Sequence, residues 1–371
     1  MNSKCILLFL SMILCLACKP EKESTESLKH AVADEFLMGV ALNVRQSSGM
    51  DARATALVKQ HFNSIVAENC MKCEELQPEE GKFRFEQADE FVRWGQENGM
   101  TIIGHCLIWH SQLPAWFCVD SEGKNVSPEV LKQRMKSHIQ TVVSRYRGQV
   151  FGWDVVNEAL MEDGTYRPSK FYEILGEEFI PLAFQYAHEA DPDAELYYND
   201  YNMHTEGKRK AVSRLVRTLK ERGLRIDAVG MQGHMGMDYP TLKDMEASMQ
   251  AFADEGVKVM ITEWDMSALP TVAQTANLAD TVTFNRTLDP YPEGLPDSVA
   301  CMWNERMKQF FDLFRRRSDI VSRVCVWGVT DGDSWKNDFP VKGRRDYPLL
   351  FDRNYQPKPF VQQLITTDST Q

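Results

Sequence analysis

Along the chain, short runs rich in Val, Ile, Met and aromatic residues alternate with longer segments whose apolar positions recur every three to four residues. The short runs read as strands at Phe36–Leu42, Asn63–Ala67, Thr101–Ile108, Val150–Val156, Glu195–Asn199, Ile226–Gln232, Val257–Thr262 and Val324–Val329. The longer ones read as helices near 51–61, 87–98, 128–147, 170–190, 205–222, 241–255, 299–318 and 357–365. Ser127-Pro128 supplies an N-cap and a first-turn proline to the third helix. Phe171, Ile174, Leu175, Leu182, Phe184 and Tyr186 give the fourth an apolar stripe. Eight strand–helix units in one unbroken series predict a TIM (β/α)8 barrel. A doubly wound sheet is the alternative, but the near-even repeats and the absence of a Gly-rich phosphate turn favour closure. No Pro/Gly/Ser linker interrupts the series, so residues 35–371 form a single predicted domain.

The segment before this domain reads differently. Lys4 precedes a thirteen-residue apolar run from Cys5 to Ala17, too short to span a bilayer but sized for a secretory signal. It ends in Leu14-Cys15-Leu16-Ala17-Cys18, where a small residue directly before a cysteine resembles a bacterial lipobox, although Cys15 stands where Leu is usual. Residues 1–17 are therefore expected to be a lipoprotein-type signal peptide and Cys18 the lipidation site. The chain would be exported and held at a bacterial membrane or cell surface by that anchor; without lipidation it would be periplasmic or secreted. Residues 18–34, charged and Ser-rich at their start, read as a polar tether.

Composition narrows the partners. The 371 residues carry 53 acidic against 42 basic side chains, a net charge of −11, which argues against nucleic acid because phosphate binding needs a basic surface. Beyond Cys18, six cysteines remain at 70, 73, 106, 118, 301 and 325, and their irregular spacing does not describe a disulfide framework. Cys70-Met71-Lys72-Cys73 is a lone C-x-x-C without a second pair, read as structural. No metal site is expected. His105 and His110 differ by five and point to opposite faces of an extended segment, and Asp331-Gly332-Asp333 reads as a turn, not a calcium loop.

Catalytic residues of such barrels sit where strands end. The second strand ends in Glu68-Asn69, the third carries His105 and Trp109 and runs into Gln112, and the fourth ends in Asn157-Glu158. The fifth leads to Asn199-Asp200-Tyr201-Asn202, the sixth to Gln232 and His234, the seventh to Glu263-Trp264-Asp265, and the eighth to Trp327 and Trp335. Indole and phenol faces lie against sugar C–H faces while amides and carboxylates bond hydroxyls, so this rim suits carbohydrate. Glu158 and Glu263 terminate strands expected to face each other across the barrel. Two carboxyl groups flanking one glycosidic bond supply both the proton and the nucleophile that its cleavage needs.

Phe151-Gly152-Trp153-Asp154-Val155-Val156-Asn157-Glu158, Ile261-Thr262-Glu263, Gly104-His105-Cys106-Leu107-Ile108-Trp109-His110-Ser111-Gln112, Asn199-Asp200-Tyr201-Asn202 and Trp327-Gly328-Val329-Thr330-Asp331 together resemble glycoside hydrolase family 10, the endo-β-1,4-xylanases. The likeness runs in order from about Phe36 to Leu364. It implies a retaining endo-β-1,4-xylanase acting on xylan or xylo-oligosaccharides without a cofactor, with Glu158 as acid/base and Glu263 as nucleophile. It also implies Glu68, Asn69, Lys72, His105, Trp109, Gln112, Asn157, Tyr201, Gln232, His234, Trp327 and Trp335 as substrate contacts. Two positions depart from the family pattern: Cys106 replaces a common Thr and Trp264 a usual aliphatic residue.

The roles also follow from charge. Carboxyl groups about 5–5.5 Å apart repel, so one, expected to be Glu158, keeps its proton until Glu263 is esterified. His234 is expected to bond Glu263, and Asn157 the sugar 2-OH. A retaining β-glucanase of similar architecture and a non-catalytic surface glycan-binding lipoprotein are the alternatives, the second disfavoured because both glutamates are present. The proline-bearing segment Met266 to Ser298 is long for a βα loop and is expected to pack beside the cleft.

Overall fold

Strands apolar on both faces need cover on both, and this chain meets that need by closing its sheet and wrapping it in helices. The computed structural model describes residues 27–367. Its strands are β1 Leu37–Leu42, β2 Ser64–Ala67, β3 Thr101–Trp109, β4 Gly152–Asn157, β5 Glu195–Asp200, β6 Ala228–Met231, β7 His234–Met235, β8 Lys258–Met266 and β9 Val321–Val326. All pairings are parallel in the order β6-β5-β4-β3-β2-β1-β9-β8, and β6 pairs with β8 to complete an eight-stranded TIM barrel. The two-residue β7 extends the rim, His234 pairing with Asp265 of β8. In this ring β4 and β8, the strands of Glu158 and Glu263, do not face each other as expected but stand three places apart, and β9 is diametrically opposite β4.

Alternation along each strand separates two cores. Ala41, Val66, Ile103, Tyr197, Ala228, Met260, Cys325 and Trp327 cluster inside the barrel. Their sequence neighbours, such as Val40, Ile65, Ile102 and Tyr198, pack outward with the helices in a larger cluster. Trp264 belongs to that outer layer. It stacks on Phe311 at 6.1 Å and meets Phe314 edge-on at 5.3 Å, so its departure from the family pattern is absorbed by the helical shell and not by the cleft.

Three further expectations need correction. The helix expected over 170–190 is two, Lys170–Leu175 and Phe179–Ala190, because Gly176 at φ +59° ends the first in a left-handed turn. The tether does not reach residue 34: Ser27 caps a short helix Leu28–Ala31, and Leu28 and Val32 are fully buried in the main core, so the domain begins by Ser27. Several strand ends shift, and the chief shift is β8, which runs to Met266 and thus contains Glu263 instead of stopping before it. The signal peptide, Cys18 and the tether as far as residue 26 lie outside the described residues. The six cysteines at 70 and beyond are unpaired, and all but Cys301 are buried. Among the described residues no helix is long and apolar enough to cross a membrane.

Candidate active site

Glu158 follows the last residue of β4, where Asn157 and Glu158 are consecutive yet both line the same cleft. A plain extended strand would send them to opposite sides. Glu158 adopts φ +59°, a conformation that costs a non-glycine residue on the order of 1–3 kcal/mol and persists only when its surroundings impose it. Here its N–H donates to Asn199 O at 2.9 Å, and its own carbonyl accepts from Arg167 Nε at 2.8 Å. The carboxyl group, 3% exposed, accepts from Trp109 Nε1 and from Gln232 Nε2, both at 2.9 Å. Burial raises its pKa above the usual carboxylate value, and the charges of Asp200 and Glu263 add to that rise.

Glu263 is turned inward by a different device. Thr262 and Glu263 both reach Asn199, which regular alternation forbids, and the β8–β9 register slips between Ile261 and Trp264 to allow it. Asn199 Nδ2 donates to Glu263 Oε1 at 2.8 Å, and His234 Nε2 lies 3.0 Å from Oε2. His234 Nδ1 in turn lies 2.9 Å from Asp265 Oδ2. Burial disfavours the charged ring, but Asp265 and Glu263 reverse this and lift the His234 pKa to about 9. The ring is thus an imidazolium at neutral pH, donating from both nitrogens. Burial likewise pushes Glu263 up, yet the hydrogen bond from His234, the charges of His105 and His234 and the hydrogen bond from Asn199 together outweigh it and hold Glu263 below the usual carboxylate value. Two carboxyl groups on one cleft are therefore tuned in opposite directions.

The cleft has a volume of about 230 Å³. Glu68, Asn69, Lys72, His105, Trp109, Gln112, Asn157, Gln232, His234, Trp327 and Trp335 line it with the two glutamates, so eleven of the twelve expected contacts are brought together. Lys72 Nζ donates to Asn69 Oδ1 at 2.8 Å and Gln112 Oε1 at 2.7 Å, and burial lowers its pKa. Burial raises that of Glu68. His105 Nδ1 bonds Asp154 Oδ2 at 2.9 Å. Trp335 Nε1 donates to Asp265 Oδ2 at 2.7 Å, which fixes one indole of the rim. Asn157 Oδ1 accepts from Asn199 at 3.0 Å and Gln232 at 3.3 Å, leaving its amide N–H2 to face the cleft.

Tyr201 is the exception. It does not line this cleft: its hydroxyl accepts from Arg167 Nη2 at 2.7 Å, and Lys208 Nζ stands 3.8 Å over its ring. Lys208 also bonds Asp200 Oδ1 at 2.8 Å, so Tyr201 belongs to a buried ionic layer behind Glu158. Asn199 and Asp265 stand on the rim that the sequence marks out but were given no role there; they are the partners that hold Glu263 and His234. Asp265 was detectable as the second residue after Glu263 on an extended strand, where the two share a face. Ala276 and Leu278 of the long β8 loop also line the cleft, as expected for that segment, though no periodicity marked them individually. Asp331 and Asp333 turn to separate partners, Lys358 at 3.0 Å and Thr330 at 3.0 Å.

The profile of glycosyl hydrolase family 10 matches residues 27–367. Endo-1,4-beta-xylanase A of Xylanibacter ruminicola is 47% identical over 356 residues, covering 95% of this chain and 96% of its own. The endo-1,4-beta-xylanase of Geobacillus stearothermophilus is 40% identical, with 92% and 98% covered. Among solved structures, a GH10 endoxylanase retrieved from a sugarcane soil metagenome superposes with a TM-score of 0.88 at 40% identity, covering 92% of this chain and 99% of its own. With a family match from Ser27 to Thr367 and a barrel that superposes on a solved member over nearly its whole length, the chain belongs to glycosyl hydrolase family 10.

Proposed function

We propose that this chain is a retaining endo-β-1,4-xylanase in which Glu158 is the acid/base and Glu263 the nucleophile. The feature that carries the reading is the opposed setting of the two glutamates in one cleft, Glu158 with its pKa raised by burial and like charge and Glu263 with its pKa lowered, His234 Nε2 standing 3.0 Å from its carboxyl group. Glu158 gives its proton to the glycosidic oxygen as the bond to C1 breaks, and the Glu263 carboxylate bonds C1 to form a glycosyl ester. Esterification removes the charge of Glu263, so the pKa of Glu158 falls and its carboxylate takes a proton from water. As it does so the water oxygen bonds C1 and the ester bond breaks, leaving Glu158 protonated and Glu263 a carboxylate again, with net retention. Asn157 N–H2 donates to the sugar 2-OH, Trp327 and Trp335 offer ring faces to xylose units, and Ala276 and Leu278 wall one side of the cleft.

Leaving group and stereochemistry separate the two roles. Glu158→Ala is expected to be crippled on xylan, whose leaving group needs the proton, yet to glycosylate rapidly from an aryl xylobioside. Azide should accelerate its turnover and yield the β-glycosyl azide. Glu263→Ala should be inactive on both substrates, and azide should give the α-product. Exchanged azide stereochemistry would exchange the assignments, and near-normal xylan hydrolysis by either variant would end the two-carboxylate reading.

The N-terminal sequence supports export and lipid anchoring at Cys18, an arrangement that would put a polymer-degrading enzyme outside the cytoplasm with its substrate. A radiolabelled palmitate should label the wild-type protein in cells and not the Cys18→Ala variant. Equal labelling would refute the anchor.

A further inference from the structure

Inside the barrel beneath the cleft, four buried side-chain atoms have no protein partner: Ser64 Oγ, Asp154 Oδ1, and Nε and Nη1 of Arg323. All three residues face inward. Arg323 is level in register with Met260, a member of the interior cluster, and Ser64 lies two residues before inward Val66. Asp154 is level with inward Tyr197. Because β9 stands diametrically opposite β4, the Arg323 side chain extends from one wall of the barrel toward the wall that carries Asp154.

Neighbouring inward positions are held by small residues, Gly39, Ser64 and Gly152, and larger inward side chains pack over the glycines: a Cβ on Gly152 would come within 2.2 Å of Tyr197 Oη, and one on Gly39 within 3.0 Å of Cys325 Cβ. The charges share their surroundings too. Burial raises the pKa of both the Tyr197 phenol and the Cys325 thiol, and in each case Arg323 opposes that rise while Asp154 adds to it.

A guanidinium keeps its charge in a protein interior, and each unpartnered buried N–H costs on the order of 1–3 kcal/mol. Facing it is a carboxylate oxygen in the same condition. Donor and acceptor are complementary but do not meet directly, and a polar site offering two to four partners is where buried water is retained. We propose that Arg323 is a positioning residue for the reaction, tied to Asp154 through an ordered water inside the barrel that Ser64 Oγ also contacts. Asp154 holds Nδ1 of His105 with its other oxygen, and His105 lines the cleft beside the glutamates. Arg323 thus sets the orientation of a cleft-wall imidazole from the far side of the barrel. The kinetic arm of its test rests on the xylanase reading; the structural and spectroscopic arms do not.

A high-resolution crystal structure of the wild-type protein should show a water within hydrogen-bond reach of both Asp154 Oδ1 and Arg323 Nε or Nη1. In Arg323→Met, the His105 Nδ1–H proton resonance, identified by its loss in His105→Gln, should shift while that of His234 stays in place. On an aryl xylobioside kcat should fall about tenfold with KM changed less than about twofold, and Arg323→Lys should recover part of the loss. A general packing defect would not move one imidazole proton selectively. Absence of the water, or an unmoved His105 resonance in a folded variant, overturns the proposal. If Arg323→Met fails to fold, the wild-type water and the resonance in Arg323→Lys decide. A wild-type protein inactive on the xylobioside would count against the xylanase reading and leave those two arms intact.

Discussion

His234 sits between two buried carboxylates, 2.9 Å from Asp265 and 3.0 Å from Glu263, and its removal tests how the nucleophile is kept ionised. A rise from 6.5 to about 9 corresponds to stabilisation on the order of 3 kcal/mol at about 1.4 kcal/mol per unit. The ring is buried, so solvent screening does not reduce this as it would at a surface. The folded-state pKa lies above the unfolded one. This contribution is therefore fully present below pH 6.5 and is lost as pH climbs through about 9.

Replacing His234 by Gln preserves one donor and removes the charge. Glu263 and Asp265 are then left buried without their shared cation, and losing one partner of such an arrangement costs about 3–5 kcal/mol. Glu263, relieved of the force that holds its pKa down, should protonate at higher pH. The acid limb of kcat/KM on an aryl xylobioside should accordingly move upward in His234→Gln. Melting temperatures at pH 6 and pH 10 supply the second readout: the wild-type protein should lose more stability across that window than the variant. An acid limb at the wild-type position, together with equal losses between the two pH values, would refute the assigned charge on His234.

Two further substitutions probe the support of the site and the start of the domain. A Cβ at Gly230 would fall 2.4 Å from Asn199 Oδ1 and 2.8 Å from Thr262 Cγ2, so Gly230→Ala should displace Asn199 from Glu263. A stability loss of about 1–3 kcal/mol with a larger proportional fall in kcat than in KM is expected, and unchanged kinetics would show that Asn199 is not needed. Leu28 is fully buried, so Leu28→Ala should cost about 2–5 kcal/mol in denaturant unfolding, whereas a loss under half a kcal/mol would restore the reading of this segment as tether.

The barrel was legible because each strand is a local apolar run and each helix a local period, and neither signal needs knowledge of the rest of the chain. The two glutamates were legible for a similar reason, standing beside such runs within long motifs. What escaped depends on geometry that residue identity does not encode. Tyr201 follows Asn199-Asp200 at a strand end, where a side chain can face the cleft or the layer behind it, and buried Lys208 and Arg167 decide for the latter. The inward turn of Glu263 comes from a register slip between β8 and β9, a property of two strands about sixty residues apart. Leu28 and Val32 looked like isolated apolar residues in a polar stretch, since the surfaces that bury them are built by the helices Ala52–His61 and Pro359–Thr367. Pairwise placement of this kind is also what tunes the chemistry. Glu158 and Glu263 are the same residue type at similar strand positions, and their neighbours separate them: the charge of Asp200 raises the pKa of one, while His234, His105 and Asn199 lower that of the other.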